Sequence, residues 1–236
     1  MLENGVIYKI DINSLNNRHL MSAVYDNLSN EYYWSDEYDS ELYISLAKAG
    51  FISVGHILDD TPILLAQIQS TYAVLDFENL HISKKVQKLI NQNSFELKIN
   101  SDIKNVITAI QQCHIDSWLN EQYKSLLVEM SSNNQNNQKI YDFQIVSVGL
   151  YDTTNQTLVA GEIGYVTNNI YTSLSGFSLK EKRYNNCGKL QLILLSKYLQ
   201  NNGFSFWNLG QSQMQYKIDI GAVVYSRDEF LRRWLA

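Results

Sequence analysis

Residues 158–178 read LVAGEIGYVTNNIYTSLSGFS, and this stretch decides the fold. Leu158–Val166 has the apolar content of a strand, Thr167-Asn168-Asn169 is a polar turn, and Ile170–Ser175 reads as the returning strand. Upstream, Asp142–Tyr151 is a third strand, joined to the first by the polar turn Asp152-Thr153-Thr154-Asn155. Downstream, Gly188–Asn201 places Leu190, Ile193, Leu194 and Lys197 at helical spacing and stops at Gly203. Phe204–Leu209 then reads as a buried strand. Three antiparallel strands followed by a strand–helix–strand crossover predict a mixed sheet with helices on its faces.

Working outward, Ser40–Ala49 is helical, with Gly50 free to take the left-handed conformation that ends a helix. Phe51–Leu58, Ile63–Ile68 and Tyr72–Phe77 read as strands, and Ser83 caps a short amphipathic helix. Phe95–Ile99 is a strand; Asp102–Gln112 and Leu119–Met130 are helices. Ser131–Gln138 (SSNNQNNQ) has nothing that can pack and reads as a surface loop or disordered excursion. Ser226-Arg227-Asp228-Glu229 has the form of a capping box opening a last helix. The expected class is α+β (mixed α/β). A small N-terminal α/β domain covers residues 1–78, and a second domain with a mixed sheet flanked by helices covers 79–236.

A chain of 236 residues with 45% hydrophobic and 18% charged side chains can bury a real core. One proline (Pro62) and 11 glycines exclude collagen-like and Pro-rich readings. Cys113 and Cys187 are too few for a disulfide scaffold or a closed zinc site. No basic region followed by an apolar run opens the chain, and no apolar stretch approaches the roughly 18 residues of a membrane span. The expectation is a cytoplasmic monomer with no membrane partner. The net charge of −5 is uneven: residues 177–236 hold nine Lys/Arg against four Asp/Glu. Such a segment is either a set of solvated helix faces or a surface that meets an anion.

Several constellations are empty. Cys113-His114 has the wrong spacing for two metal ligands on one helix face, and no metal or cofactor is expected. His19 and His56 have no companions, and His81 reads as a structural hydrogen-bonder or a base. Cys187-Gly188-Lys189 is no phosphate loop, although it opens a helix and so favours an anion. No Gly-x-Ser-x-Gly elbow is present.

Six segments in order resemble the leucyl/phenylalanyl-tRNA–protein transferase family. They are Tyr43–Val54, Tyr72–Leu89, Phe95–Trp118, Leu158–Ser178, Gly188–Tyr198 and Gly203–Gly221, the last followed by Arg227–Phe230. The resemblance implies a GNAT-like acyltransferase fold for the second domain. It implies transfer of an amino acid from the 3′ end of a charged tRNA to the N-terminal α-amine of an acceptor protein, the type of tagging that marks N-degrons for degradation. No metal or diffusible cofactor is then needed, because the aminoacyl ester is already activated. It places substrate contacts at Trp118, Tyr171, Leu174, Ser175 and Phe177. Trp34, Trp118 and Trp207 can each be core or a stacking platform; a terminal adenine needs such a platform, and Trp118 is the one set beside the site. Lys84, Lys85, Lys180, Lys182, Arg183 and Lys189 are the expected tRNA contacts.

The sequence departs from the family where chemistry is expected. The family's Glu on the second hairpin strand is Leu174 here, and its Asp after the long helix is Asn208; Gln211 matches the family's Gln only with one inserted residue. A turn centred on Asn168 sets Glu162 opposite Leu174, with Cβ atoms about 5 Å apart. One acid then stands across the ladder from the family's position, and Glu162, Asn208 and Gln211 are the expected catalytic residues. An ionised Glu162 in the pocket would favour a cationic aminoacyl group such as Arg or Lys. The alternatives are a Glu on the solvent face, a non-tRNA acyltransferase on the same fold, and an inactive relative that binds a protein N-terminus or a tRNA. A Gly-rich pyrophosphate loop would favour the non-tRNA acyltransferase, and Tyr184–Gly188 holds one glycine.

Overall fold

The computed structural model describes residues 7–114, 118–135 and 143–236. Its elements begin with β1 (Tyr8–Lys9), α1 (Ile12–Asn16), α2 (Arg18–Asp26), β2 (Tyr32–Ser35), α3 (Ser40–Lys48), β3 (Ile52–Leu58), β4 (Thr61–Gln67) and β5 (Thr71–Leu75). They continue with α4 (Lys84–Gln92), β6 (Phe95–Ile99), α5 (Ile103–Cys113), α6 (Glu121–Gln135), β7 (Phe143–Asp152), β8 (Leu158–Thr167) and β9 (Ile170–Ser178). They end with α7 (Cys187–Asn201), β10 (Trp207–Gln211), α8 (Gln215–Asp219), β11 (Val223–Ser226) and α9 (Arg227–Trp234). Two compact units form: Met1–Tyr72 with Trp118–Leu126 and Tyr225–Ala236, and Ala73–Ser117 with Leu127–Val224. The chain thus passes between units four times, where the sequence reading set a single boundary at 78/79.

In the first unit a sheet of order β1-β2-β4-β3 pairs β1 and β2 in parallel and the rest antiparallel. The Asp39 carboxylate accepts from the Leu42 amide at 2.9 Å, and Glu41 and Lys48 sit at the helix ends that favour their charges. Helix α3 ends at Gly50, at φ +89°, where a Cβ would also stand 2.8 Å from Leu231 Cδ2. The expected capping box is present: Ser226 and Glu229 satisfy each other's amides at the start of α9.

Arg227, the first residue of that helix, points inward and is fully buried. Its guanidinium donates to the carbonyls of Gln69, Asn27 and Ile68 at 2.9, 2.7 and 2.8 Å. Longer contacts reach Val24, Tyr25 and Asn30. No acid forms an ion pair with this cation among the described residues, although the charge of Glu31 favours it; carbonyls from α2, its exit loop and the end of β4 hold it. Beside it Phe230 stacks on Tyr72, with ring centroids 3.8 Å apart.

The larger sheet has the order β11-β5-β10-β9-β8-β7-β6. Strands β6 to β9 are antiparallel, and α7 carries the chain from β9 to β10, which pair in parallel. The expected meander and crossover are therefore present, and the fold is mixed α/β. On one face, Leu190, Ile193, Leu195 and Leu199 of α7 pack in one cluster with Val146, Val148, Leu150, Ala160, Tyr171, Trp207 and Leu209. Helix α5, with Val106, Ile107 and Ile110 buried, packs against β7, β8 and β9. Each of these buried aliphatic side chains contributes about 1.5–3 kcal/mol relative to exposure.

Several boundaries differ from the sequence reading. Strand β5, expected over Tyr72–Phe77, is Thr71–Leu75, and Phe77 opens a short 3-10 turn, Phe77–Asn79. Strand β9 continues to Ser178, because Gly176, Phe177 and Ser178 keep pairing with β8. Strand β10 is Trp207–Gln211, later than the expected Phe204–Leu209. Ser131–Gln135 is helical, extending α6 where a loop was expected; the rest of that stretch, and the expected strand start at Asp142, lie outside the described residues. Among the described residues no helix is long and apolar enough to cross a membrane.

Replacing Arg227 with Ala leaves several buried carbonyls unsatisfied. Urea unfolding should show a loss of about 3 kcal/mol or more. A loss under about 1 kcal/mol would mean that water serves those carbonyls equally well.

Candidate active site

The site is built on the β8–β9 hairpin. Asn168 and Asn169, at φ +48° and +61°, form a two-residue turn that pairs Thr167 with Ile170. The ladder runs regularly to Gly164 opposite Ser173 and then slips by one residue, leaving Leu174 as the bulge. Glu162 therefore faces Gly176, not Leu174 as expected. The turn is one residue shorter than a turn centred on Asn168, and the bulge moves the register again.

Glu162 points into the core at 3% exposure, which removes the solvent-face alternative. Tyr171 Oη and Ser173 Oγ donate to Glu162 Oε1 at 2.9 and 2.7 Å, and Gln191 Nε2 from α7 donates to Oε2 at 3.0 Å. Trp207 Nε1 donates to Ser173 Oγ at 2.9 Å, linking β10 to the same network. Tyr171 reaches the carboxylate by lying over Gly164: a Cβ there would stand 2.4 Å from the Tyr171 hydroxyl and from the Thr172 carbonyl. Burial raises the Glu162 pKa above the usual carboxylate range, against the three donors and the charge of Lys217, which pull it down.

Lys217 was counted in the sequence only as one of nine basic residues. It is 5% exposed, and its ammonium donates to the carbonyls of Leu209 and Gln211 at 2.6 and 2.7 Å. Desolvation lowers its pKa to about 8, with Glu162 opposing. These carbonyls flank Gly210, at φ +73°, whose amide donates to Asn208 Oδ1 at 2.9 Å. Gln191, Ser173 and Lys217 were not singled out in the sequence. Gln191 alone carried a signal, a polar residue amid the apolar positions of α7.

Asn208 does not share a face with Glu162. It pairs with Thr172 and reaches that hydroxyl at 3.4 Å, while Tyr171 and Ser173 on the alternate face hold Glu162. Its carboxamide is spent on the turn at Gly210. The Gln211 side chain is exposed. Strands β9 and β10 pair only through Trp207–Tyr171 and Asn208–Thr172, then part; Ser173 is the first residue of β9 beyond the last pair. Beyond it Leu174 and Ser175 are half-buried, Gly176 is exposed and Phe177 is buried. His114 donates through Nε2 to the Gly176 carbonyl at 2.9 Å.

Trp118 belongs to the first unit, where it packs edge-on against Tyr123 at 5.0 Å. Trp207 is fully buried core. Lys84, Lys85, Lys180, Lys182 and Arg183 are exposed, though Arg183 pairs with Glu181 and Lys189 pairs with Asp219, each at 2.8 Å. Ser83 and Lys189 line one cavity of ≈ 400 Å³ with His81, Val86 and Ile193. The basic back segment is thus less of an anion-facing surface than its charge suggests, since Lys217 and Arg227 are interior.

A family model described as leucyl/phenylalanyl-tRNA protein transferase matches residues 74–234. The chain belongs to that family. A leucyl/phenylalanyl-tRNA–protein transferase of Lawsonia intracellularis is 26% identical over 160 residues, covering 66% of this chain and 63% of that protein. One of Tolumonas auensis is 26% identical over 166 residues, covering 68% of this chain and 63% of that protein. The chain thus matches less than two thirds of the length of these relatives. Among solved structures, a crystal structure of FemX aligns at 10% identity with a TM-score of 0.48, covering 90% of this chain and 76% of that one.

Folding stability should register the buried acid. The folded chain holds the Glu162 proton to a higher pH than the unfolded chain, whose glutamates titrate near ~4.3. Stability from this group is present below that value and lost as pH rises through the folded pKa. Glu162→Gln does not titrate, so it should gain stability relative to wild type as pH rises; a constant difference would show an unshifted carboxyl. Gly164→Ala should cost about 1–3 kcal/mol by displacing Tyr171.

Proposed function

We propose that this member of the leucyl/phenylalanyl-tRNA–protein transferase family transfers an amino acid from the 3′ end of a charged tRNA to the N-terminal α-amine of a protein or peptide. One observation carries the reading: a family match over residues 74–234 that includes a buried, fully hydrogen-bonded carboxylate held by Ser173, the first residue of β9 beyond its last pair with β10. From Ser173 onward the β9 backbone has no β10 partner, and the extended aminoacyl end and the acceptor are assigned to that stretch.

The reaction needs little from outside. The acceptor nitrogen attacks the ester carbonyl, a C–N bond forms, and the C–O bond to the ribose oxygen breaks. The proton lost by the amine ends on that oxygen. Alignment is therefore the main task, and a nearby negative charge favours the amine's developing positive charge. Glu162 supplies that charge through Ser173, the half-buried hydroxyl between the acid and the open strand edge. Gln211 offers an exposed carboxamide for the ester carbonyl or the acceptor. Asn208 shapes the turn that presents it. The expectation of a cationic donor amino acid loses its basis, because Tyr171, Ser173, Gln191 and the field of Lys217 already compensate Glu162. Lys84, Lys85, Lys180, Lys182 and Arg183 are the proposed phosphate contacts, with Lys189 released from Asp219 on binding.

The decisive assay incubates the protein with mixed charged tRNAs and peptides beginning with each amino acid and reads mass gain. Glu162→Gln should lower transfer by roughly two orders of magnitude. An unchanged rate would assign Glu162 to the fold alone. In filter binding, tRNA affinity should weaken with salt by about 0.7 log units per log unit for each phosphate contacted in the single-stranded end. Lys84→Ala with Lys85→Ala should make that slope shallower; no tRNA binding at all would overturn the proposal.

A further inference from the structure

Lys217 is used neither by the fold's apolar core nor by the reaction as written. It is a buried cation on α8 that feels the charge of the buried Glu162 and binds the end of β10. Its ammonium joins the carbonyls of Leu209 and Gln211, two residues apart, across the left-handed Gly210. Asn208 closes the same turn from the other side through the Gly210 amide. Two carbonyls set this way converge on one cation, so the turn is a small cation site filled by the chain itself.

We propose that Lys217 is a positioning residue for the proposed transfer site: its ammonium fixes the Leu209–Gln211 turn and thereby sets where the exposed Gln211 side chain meets the substrate. The inference rests on the transferase reading only for what Gln211 meets; the clamp itself does not depend on it. Removing the charge leaves two buried carbonyls competing for a weaker donor, and the turn loosens by the small displacement that alignment-dependent catalysis cannot tolerate. The groups that set Lys217's charge are Glu162 on β8, which favours it, and Tyr216 beside it on α8, whose ring centre is 5.9 Å away. Asp219 on the same helix is engaged by Lys189 and Gln215. With its pKa near 8, Lys217 keeps the clamp charged below that pH and releases it above.

The test uses the full chain, Lys217→Met and Lys217→Arg. In wild type labelled at the lysine side-chain carbons, the Lys217 signal and the backbone amides of Gly210 and Gln211 should titrate together with a midpoint about 8; in Lys217→Met those amides should not titrate there. Amides that ignore the lysine's titration would overturn the clamp. This reading stands or falls whether or not the protein transfers amino acids. In the transfer assay, Lys217→Met should lower kcat by about tenfold to a hundredfold with KM for charged tRNA little changed. Wild type should lose kcat as pH rises above about 8, and Lys217→Met should lack that alkaline fall. Lys217→Arg, charged at every pH assayed, should recover part of kcat without that fall. A loss of activity that merely tracks a lowered Tm, with the alkaline limb intact, would make Lys217 structural only.

Discussion

A carboxylate sealed in a protein interior must be surrounded by donors, and Glu162 imposes that requirement on three elements at once. Tyr171 and Ser173 answer from β9, Gln191 from α7, and Trp207 reinforces Ser173 from β10. Each answer carries its own condition. Tyr171 needs a residue without a side chain at 164, Gln191 needs α7 laid over the hairpin, and Ser173 needs the regular register on the turn side of the bulge. Removing the acid's partners singly would leave a buried charge short of donors, which costs more than a neutral hydrogen bond contributes. The hairpin, the crossover helix and the parallel strand are therefore held in one arrangement by a polar group as much as by the apolar cluster around it.

The two buried cations follow a different rule. Among the described residues neither Arg227 nor Lys217 forms a salt bridge; both are held by backbone carbonyls that secondary structure leaves over. Arg227 collects the ends of a helix and a strand in its own unit, and its planar, forked donors suit several carbonyls at once. Lys217 serves two carbonyls, and its single nitrogen can lose its proton where a guanidinium cannot. The same device is permanent in one place and titratable in the other because a guanidinium keeps its proton when buried, whereas desolvation brings the ammonium of Lys217 down to about 8.

Much of the architecture was legible in the sequence. The meander, the crossover, the Gly50 stop and the Ser226–Glu229 box all follow from periodicity and local hydrogen-bond chemistry, which act over a few residues. Glu162 stood out because an acid within an apolar strand must find partners. What escaped was set by neighbours far apart in sequence. Asn208 was grouped with Glu162 from the family pattern, yet strand alternation sends it to the other face. Lys217 carried no local mark: its carbonyl partners become available only once Gly210 turns the end of β10. Ser131–Gln135 shows the reverse error, since polar residues with little intrinsic preference continue a helix that apolar residues before them have already anchored.

The turn and the bulge at Leu174 together decide where Glu162 stands relative to Leu174, the position at which the resemblance puts the family's acid. With the observed two-residue turn, an unbulged hairpin would set Glu162 opposite Ser175; only a turn centred on Asn168 would make Glu162 and Leu174 partners and the swap a simple exchange across the ladder. The structure puts Gly176 opposite Glu162, with the position of a Cβ there only 3.1 Å from the Glu162 Cβ, so a larger residue at 176 would crowd the acid. The acid is thus accommodated by two glycines, Gly164 on its own strand and Gly176 across from it, and not by Leu174. Leu174, freed from cross-strand pairing with Glu162, remains half-buried on the stretch of β9 that no longer borders β10. In the proposed reaction that is a position from which to contact an apolar aminoacyl side chain, while the carboxylate of Glu162 stays one hydroxyl further in, behind Ser173. Under the proposed reaction, separating the apolar contact from the acid would let a fully hydrogen-bonded carboxylate act at a distance without presenting a bare charge to the donor.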